Sequence, residues 1–388
     1  MKHRNPILIL LVALFLMLSA CAAPPPPSAA ESEPAVSASP EPEQSPEPAP
    51  SHKSPKELLD AMAAFPEISA ERTAAMSSWA EYGFGIVDGD TYYGRFFLKG
   101  DHAPMLFSLD LKSGSRNVSL ESHRILDSEH SPKYLIKQGD TLYYVMLDRE
   151  TGGSCGIAMV GTDGSGLKVL YEGVCDSLSA AGGRLFFTDG EGRPVSIDEQ
   201  GGDLQILAER KVFYLFAPNE DWLIFQDDRD GESLHLFRIS DGVDIRLTGG
   251  PAFSPVIRGS SLFFSVPEKE NSPAFRLARI DLRTYGERYD DEEQCFVPVF
   301  DIQLGDRTFG GEFYIFGDTI CAMNGKAPAA IENWKDLEDD AFLGYSRAVR
   351  FISDRWVVEE LFGKDGGITA LLFHDRSGGH ADIIPWLN

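Results

Sequence analysis

From residue 81 onward, apolar and polar positions alternate in short bursts separated by tight turns. A strand ends in a polar or glycine turn, and the next strand carries two adjacent large apolar side chains. The doublets are Tyr92-Tyr93, Tyr143-Tyr144, Phe186-Phe187, Ile224-Phe225, Phe263-Phe264, Cys321-Ala322 and Val357-Val358. They follow turns at Gly89-Asp90, Gly139-Asp140, Gly182-Gly183, Asn219-Glu220-Asp221, Gly259-Ser260, Gly317-Asp318 and Ser353-Asp354. The ends of successive copies lie 51, 43, 38, 39, 58 and 36 residues apart. Most doublets precede a second hairpin with a small turn, such as Thr162-Asp163-Gly164-Ser165-Gly166 or Ser240-Asp241-Gly242, where Gly and Asp tolerate positive φ. Four strands recurring about every 40 residues predict propeller blades, because one four-stranded sheet cannot bury both its faces alone. The expected fold is all-β, a β-propeller over 81–388 with seven blades. Six is the alternative, because the sixth copy has Cys321-Ala322 in place of aromatics and a long insertion after it.

The first 80 residues follow other rules. Lys2, His3 and Arg4 precede an unbroken apolar run from Ile7 to Leu18, too short to span a bilayer permanently. We therefore expect residues 1–20 to be a signal peptide. Residues 22–55 hold 11 of the 24 prolines, which predicts a disordered, Pro-rich linker over 21–54, extended at about 3.1 Å per residue where it is polyproline-like. Ser54-Pro55-Lys56-Glu57 reads as a helix start. Leu58, Leu59, Met62 and Phe65 then fall at helical spacing before Pro66 stops the run. A short helical cap over 55–80, packed on the propeller, is expected.

Two resemblances add to this. Leu18-Ser19-Ala20-Cys21 resembles the lipobox of bacterial lipoproteins, which implies diacylglycerol on the Cys21 thiol and an anchor on the extracytoplasmic side of the bacterial cell membrane. Ala217 to Gly231, with Arg246-Leu247-Thr248-Gly249-Gly250 and Phe253-Ser254-Pro255, resembles the WD40-like repeats of TolB-type propellers. The Thr162–Gly166 turn is similar to repeats of bacterial propeller lipoproteins. These resemblances imply a binding scaffold and carry no catalytic residues across.

Charge narrows the partners. With 35 Lys+Arg against 60 Asp+Glu the chain has a formal charge of −25, which argues against nucleic acid and against direct attraction to anionic membrane surfaces. At 43% hydrophobic and 11% aromatic it has ample material for a core. Nothing in the pattern fixes an oligomeric state, and a monomer is the default.

Candidate chemistry is sparse. Gly152-Gly153-Ser154-Cys155-Gly156 fits G-x-S-x-G, but a nucleophile elbow needs a strand-to-helix turn, and strands are predicted on both sides. Propeller peptidases also use an α/β-hydrolase domain, which we do not expect here. Asp227, Asp228 and Asp230 sit near Gly231 as calcium-loop residues do, yet an EF-hand frame would need a Glu where Phe237 stands. They read as a weak Ca²⁺ candidate against a solvated hairpin tip. Eight histidines show no zinc spacing. In an exported protein, Cys155, Cys175, Cys295 and Cys321 permit two disulfides, Cys155–Cys175 across a hairpin and Cys295–Cys321. Long excursions at 121–132, 286–309 and 325–346 predict a loop face rich in Tyr289, Asp290, Asp291, Glu292, Glu293, Trp334, Asp336, Asp339 and Asp340. It would bind a cationic or cation-bridged partner, or merely solvate the surface. No catalytic residue and no cofactor beyond the lipid is assigned. The expected function is non-enzymatic recognition of protein or glycan at the cell envelope, with a hydrolase or lyase acting on an envelope polysaccharide or peptide as the alternative.

Overall fold

The computed structural model describes residues 57, 65, 85–96, 103–111, 123–269, 272, 274–283, 289–290, 292–293, 295–298, 313–316, 319–322, 346–352, 355–362, 368–375 and 380–384. All belong to the unit Lys53–Asn388. The expectations for 1–20, for Cys21 and the linker, for most of 55–80, and for Asp291, Trp334, Asp336, Asp339 and Asp340 fall outside them.

Every copy of the repeat makes the first hairpin of a sheet. β1 (Gly85–Asp88) and β2 (Thr91–Phe96) turn with Asp88 opposite Thr91, and β3 (Met105–Asp110) and β4 (His123–Asp127) complete an antiparallel sheet in sequence order. The second sheet is β5 (His130–Gln138), β6 (Thr141–Asp148), β7 (Ser154–Gly161) and β8 (Lys168–Glu172). The third is β9 (Asp176–Ala181), β10 (Arg184–Thr188), β11 (Pro194–Asp198) and β12 (Gln205–Ile206). The fourth is β13 (Val212–Phe216), β14 (Trp222–Asp227), β15 (Ser233–Arg238) and β16 (Val243–Arg246). Then come β17 (Phe253–Arg258), β18 (Ser261–Pro267) and β19 (Phe275–Asp281), followed by the small hairpin β20 (Tyr289–Asp290) and β21 (Cys295–Phe296). The sixth copy makes β22 (Phe313–Phe316) and β23 (Thr319–Ala322), and the last makes β24 (Ser346–Ile352), β25 (Trp356–Phe362), β26 (Ile368–Asp375) and β27 (His380–Ile384). The first-hairpin turns are tight because Gly89 and Gly139 take φ of 57° and 55°, a region a side chain would strain.

The sheets stack as propeller blades. Their first strands adjoin in order, with β24 beside β1, β1 beside β5, β5 beside β9, β9 beside β13 and β13 beside β17. Packing explains the doublets. In β6, Tyr143 and Val145 join the apolar cluster shared with the third sheet, while Leu142, Tyr144 and Met146 join the one shared with the first. In β14, Leu223 and Phe225 face the third sheet, and Trp222 and Ile224 face the fifth. A second strand covered on both faces needs apolar side chains at consecutive positions. Each such buried chain contributes about 1.5–3 kcal/mol.

Cations on the outer strands tie neighbouring sheets together. Arg124 donates to Asp163 O at 2.6 Å, Lys168 to Gln200 O at 2.8 Å and Arg246 to Glu293 O at 3.4 Å. In each case a fourth strand reaches a turn carbonyl of the following repeat, which occupies an otherwise open sheet edge. By antiparallel order, every first strand begins on the face carrying the second-to-third-strand loops and ends on the face carrying the tight turns. At the turn end, Phe65 is 2% exposed and packs edge-on against Trp222, with centroids 5.7 Å apart and planes at 72°. Glu57 has helical backbone.

Candidate binding face at the mouth of the propeller

The first strands share an irregularity where they begin. Each of β5, β9, β13 and β17 carries one extra residue relative to its second strand, between Lys133 and Ile136, Asp176 and Ser179, Phe213 and Phe216, and Phe253 and Val256. β24 shifts likewise between Val349 and Phe351. In four of these bulges a non-glycine residue sits at positive φ: Tyr134 at 52°, Ser177 at 59°, Tyr214 at 50° and Ser254 at 50°. Each such residue costs about 1–3 kcal/mol and persists only where its surroundings hold it. Here they do. Thr188 Oγ1 donates to Asp176 O at 3.2 Å, Ser265 Oγ to Phe253 O at 3.1 Å, and Gln226 Nε2 to Ala252 O at 2.7 Å. All three donors are buried. A device repeated in four adjoining strands, and braced by buried donors in two of them, behaves as a designed feature.

The bulges set the side chains of the mouth. Lys133 Nζ and Asp176 Oδ1, from neighbouring first strands, lie 2.7 Å apart. Phe213 is 39% exposed, with the Lys211 ammonium 4.9 Å from its ring centre and Asp228 Oδ2 3.1 Å from that ammonium. Tyr214 meets Phe253 edge-on at 6.5 Å, and Phe253 meets Phe275 edge-on at 5.9 Å. All three rings are half-buried. Three strands of two sheets thus supply a short aromatic arc with paired charges at its edge.

The predicted acidic residues take other parts. Asp227 accepts from Arg229 N at 2.8 Å and from Arg210 at 3.2 Å, and Asp228 faces Lys211. Asp230 lies 3.1 Å from His235 Nε2 and 2.7 Å from Arg246 Nε, and it accepts from Ser233 Oγ at 2.9 Å. The three carboxylates of the calcium candidate therefore diverge onto separate cations. Among the described residues no group of three or more His, Cys, Asp or Glu converges as metal ligands would. Burial opposes ionisation of Asp244, but His235 Nδ1 at 2.9 Å and Arg210 at 2.6 Å outweigh it and hold the carboxyl below its usual range.

The predicted acidic rim is also placed differently. Asp290 Oδ1 accepts from Glu292 N and Glu293 N at 2.9 and 3.1 Å, pinning the β20–β21 turn, and Tyr289 packs edge-on against Phe296. This hairpin lies against β16, the outermost strand of the fourth sheet, so Tyr289, Asp290, Glu292 and Glu293 sit on the outer circumference rather than at the mouth. The excursion read at 121–132 holds β4 and the start of β5, and 286–309 holds the small hairpin.

Cys155, Cys175 and Cys295 are free thiols in the structure. No bridge joins Cys155 to Cys175, because Gly173 N bonds Cys155 O and leaves Cys175 two residues further on. Cys155 packs toward the first sheet while Cys175 is buried toward the third. Burial, then neighbouring Asp176, pushes the Cys175 thiol up to about 12, which makes it inert. Cys321 lies on β23. Ser154 opens β7 from a strand-to-strand turn, and its Oγ accepts from Cys175 N at 3.1 Å, a structural bond.

Sequence reasoning missed the bulges and the aromatic arc. One signal was available: Tyr134, Ser177, Tyr214 and Ser254 lie 43, 37 and 40 residues apart, the repeat's own period.

No family model matches the chain, and no curated protein matches it. Solved structures do. The chain is similar to a puromycin-hydrolyzing peptidase of Mycobacterium tuberculosis at 13% identity and a TM-score of 0.52, covering 83% of this chain and 56% of that one. It is similar to TolB from Acinetobacter baumannii at 13% identity and TM-score 0.41, over 76% and 67% of the two chains. An oligogalacturonate lyase matches at 11% identity and TM-score 0.37, over 77% and 75%. The chain thus spans little more than half the length of the peptidase it matches. The fold that the strand order establishes, a β-propeller, is common to proteins of different activity.

Proposed function

We propose that the chain is a lipid-anchored, extracytoplasmic bacterial lipoprotein whose propeller is a non-enzymatic binding scaffold, with the bulged mouth as its recognition surface. One observation carries the second half: four strained residues repeat at one end of four adjoining strands, beside half-exposed aromatic rings. Strain kept in register at one rim fits a surface selected for presentation to a partner. The lipobox-like Leu18-Ser19-Ala20-Cys21 supports the anchor, and the Pro-rich stretch after it suits a spacer. The partner is a protein or glycan of the cell envelope.

Two measurements test this. Growth with an alkyne fatty acid labels the wild type and leaves Cys21→Ser unlabelled and released from membranes; equal labelling would remove the anchor. A photo-crosslinking amino acid at position 213 captures a defined envelope partner in intact cells, whereas the same probe at position 204, on the outer edge, does not. Equal capture from both positions would remove the mouth as the recognition surface.

A further inference from the structure

We infer that the mouth binds a neutral oligosaccharide, with sugar rings resting on the arc of Phe213, Tyr214, Phe253 and Phe275. This names the ligand class of the recognition surface proposed above and rests on that reading. Three features lead to it.

The first is charge. In a chain of −25, the cations nearest the bulged strand starts are met by carboxylates, Lys133 by Asp176 at 2.7 Å and Lys211 by Asp228 at 3.1 Å. A cationic ligand would compete with two ammonium groups for those carboxylates, and an anionic one would have to displace carboxylates already in place. A neutral ligand disturbs neither pair. The acidity of the chain is no guide to its partner here.

The second is the pairing of apolar faces with hydrogen-bonding edges. A pyranose ring presents C–H groups on its faces and hydroxyls around its rim, so it needs an aromatic surface bordered by both donors and acceptors. The Asp176 and Asp228 side chains are 46% and 38% exposed and accept, while the Lys133 and Lys211 ammonium groups donate. Phe213 is the most open of the rings.

The third is rigidity. Saccharides gain little from any single contact, because each hydroxyl exchanges one hydrogen bond for another. A surface that must still be ordered on binding would lose that small margin. The aromatic side chains have few rotamers, Ser265 braces the strand of Phe253, and Gln226, paired opposite Phe213, ties to Ala252 O beside Phe253, so much of the ordering entropy is already met in folding.

The experiment titrates the purified full chain, by calorimetry, with N-acetylchitotetraose and maltotetraose as neutral probes, tetragalacturonate as an anionic probe and tetralysine as a cationic one. A neutral probe is expected to bind, with affinity changing less than about twofold between roughly 0.05 and 0.5 M NaCl. Phe213→Ala with Phe253→Ala weakens it by about tenfold or more, the loss of two ring contacts. Phe213→Ala alone, at an exposed position that does not threaten folding, weakens it less, and Leu204→Ala on the outer edge leaves it unchanged. Far-UV circular dichroism checks that each variant keeps its strands. The inference is overturned if neither neutral probe binds, if only a charged probe binds and salt abolishes it, or if the double variant binds as the wild type does. Capture of a partner at position 213 without saccharide binding would overturn the sugar and keep the mouth; failure of both would remove the mouth itself.

Discussion

Two junctions between sheets solve one packing problem differently. Between the fourth and fifth sheets, Trp222, Ile224, Leu236, Ile245, Ile257, Leu262, Phe264 and Ile280 form a continuous apolar layer, with Phe65 added from the N-terminal segment. Between the last sheet and the first, a smaller layer of Tyr92, Phe107, Trp356, Val358 and Phe373 is joined by ion pairs. Arg95 grips Glu360 with two hydrogen bonds of 2.6 and 2.9 Å, and Arg355 reaches both Asp90 and Asp375. Among the described residues each sheet is built from consecutive strands, with none from one end of the chain in the sheet at the other. Among the described residues the seam is joined by side-chain contacts. Apolar contact is tolerant of small displacements, whereas a bidentate pair is satisfied in one arrangement only. The bidentate Arg95–Glu360 pair falls where covalent continuity between the described strands is missing, whereas consecutive sheets are tied by single donations such as Arg124 to Asp163 O.

The contrast can be broken most sharply in the apolar junction. Phe264→Ala, at a fully buried site, is expected to lower unfolding stability by about 3–5 kcal/mol, read from urea midpoints. At the seam, Arg95→Met removes two hydrogen bonds from the carboxylate of Glu360, itself 1% exposed, and is expected to cost about 3 kcal/mol. Arg95→Met with Glu360→Leu should recover most of that loss, because apolar replacement of a whole buried pair is close to neutral. No such rescue exists for Phe264. A double variant as unstable as the single one would show that the seam needs its charge for more than satisfaction of a buried group.

A third change separates directional contacts from apolar ones within the fourth sheet. Thr248 Oγ1 accepts from Leu234 N at 2.9 Å and donates to Gly250 O at 2.9 Å. Thr248→Val keeps the shape and should cost about 1–2 kcal/mol.

Acid should act on turns before layers. Asp148 is held below the usual carboxylate range chiefly by Thr151, Asp163 by Ser165 and Asp198 by the Gly202 N–H. Folded values below the unfolded value of about 3.9 mean that their stabilisation is complete above that pH. It is lost as pH falls through the folded values. Urea midpoints should therefore stay level from neutrality to about pH 4 and decline below it. A decline beginning near pH 6 would point to histidine instead. The smallest effect is expected at Asp90→Asn, because the Arg355 and Asp90 side chains are both about a third exposed, and such pairs contribute about 1 kcal/mol or less.

The propeller was legible because its cause is visible in sequence: doublets such as Tyr143-Tyr144 exist only where a strand is covered on both faces. Outer strands were less so. In β4, His123, Arg124 and Ile125 are all at least partly exposed, which reads as loop, and the excursion at 121–132 was drawn accordingly. The disulfide expectation relied on proximity along a hairpin, which does not show that Cys155 joins the layer shared with the first sheet and Cys175 the one shared with the third. The acidic residues suggested a partner because sequence does not show what a carboxylate bonds; Asp290 holds its own turn. The bulges were least legible. Tyr and Ser carry no mark of positive φ; it accompanies the register shift against the second strand, braced at β9 and β17 by Thr188, Gln226 and Ser265.

Phe65 has a consequence for how the molecule is held. It packs beside Trp222, at the far end of the strands from Phe213 and Phe253. A side chain from outside the repeat thus completes the apolar junction of the fourth and fifth sheets, so removing it with Phe65→Ala should loosen that junction while sparing both the mouth and the charged seam.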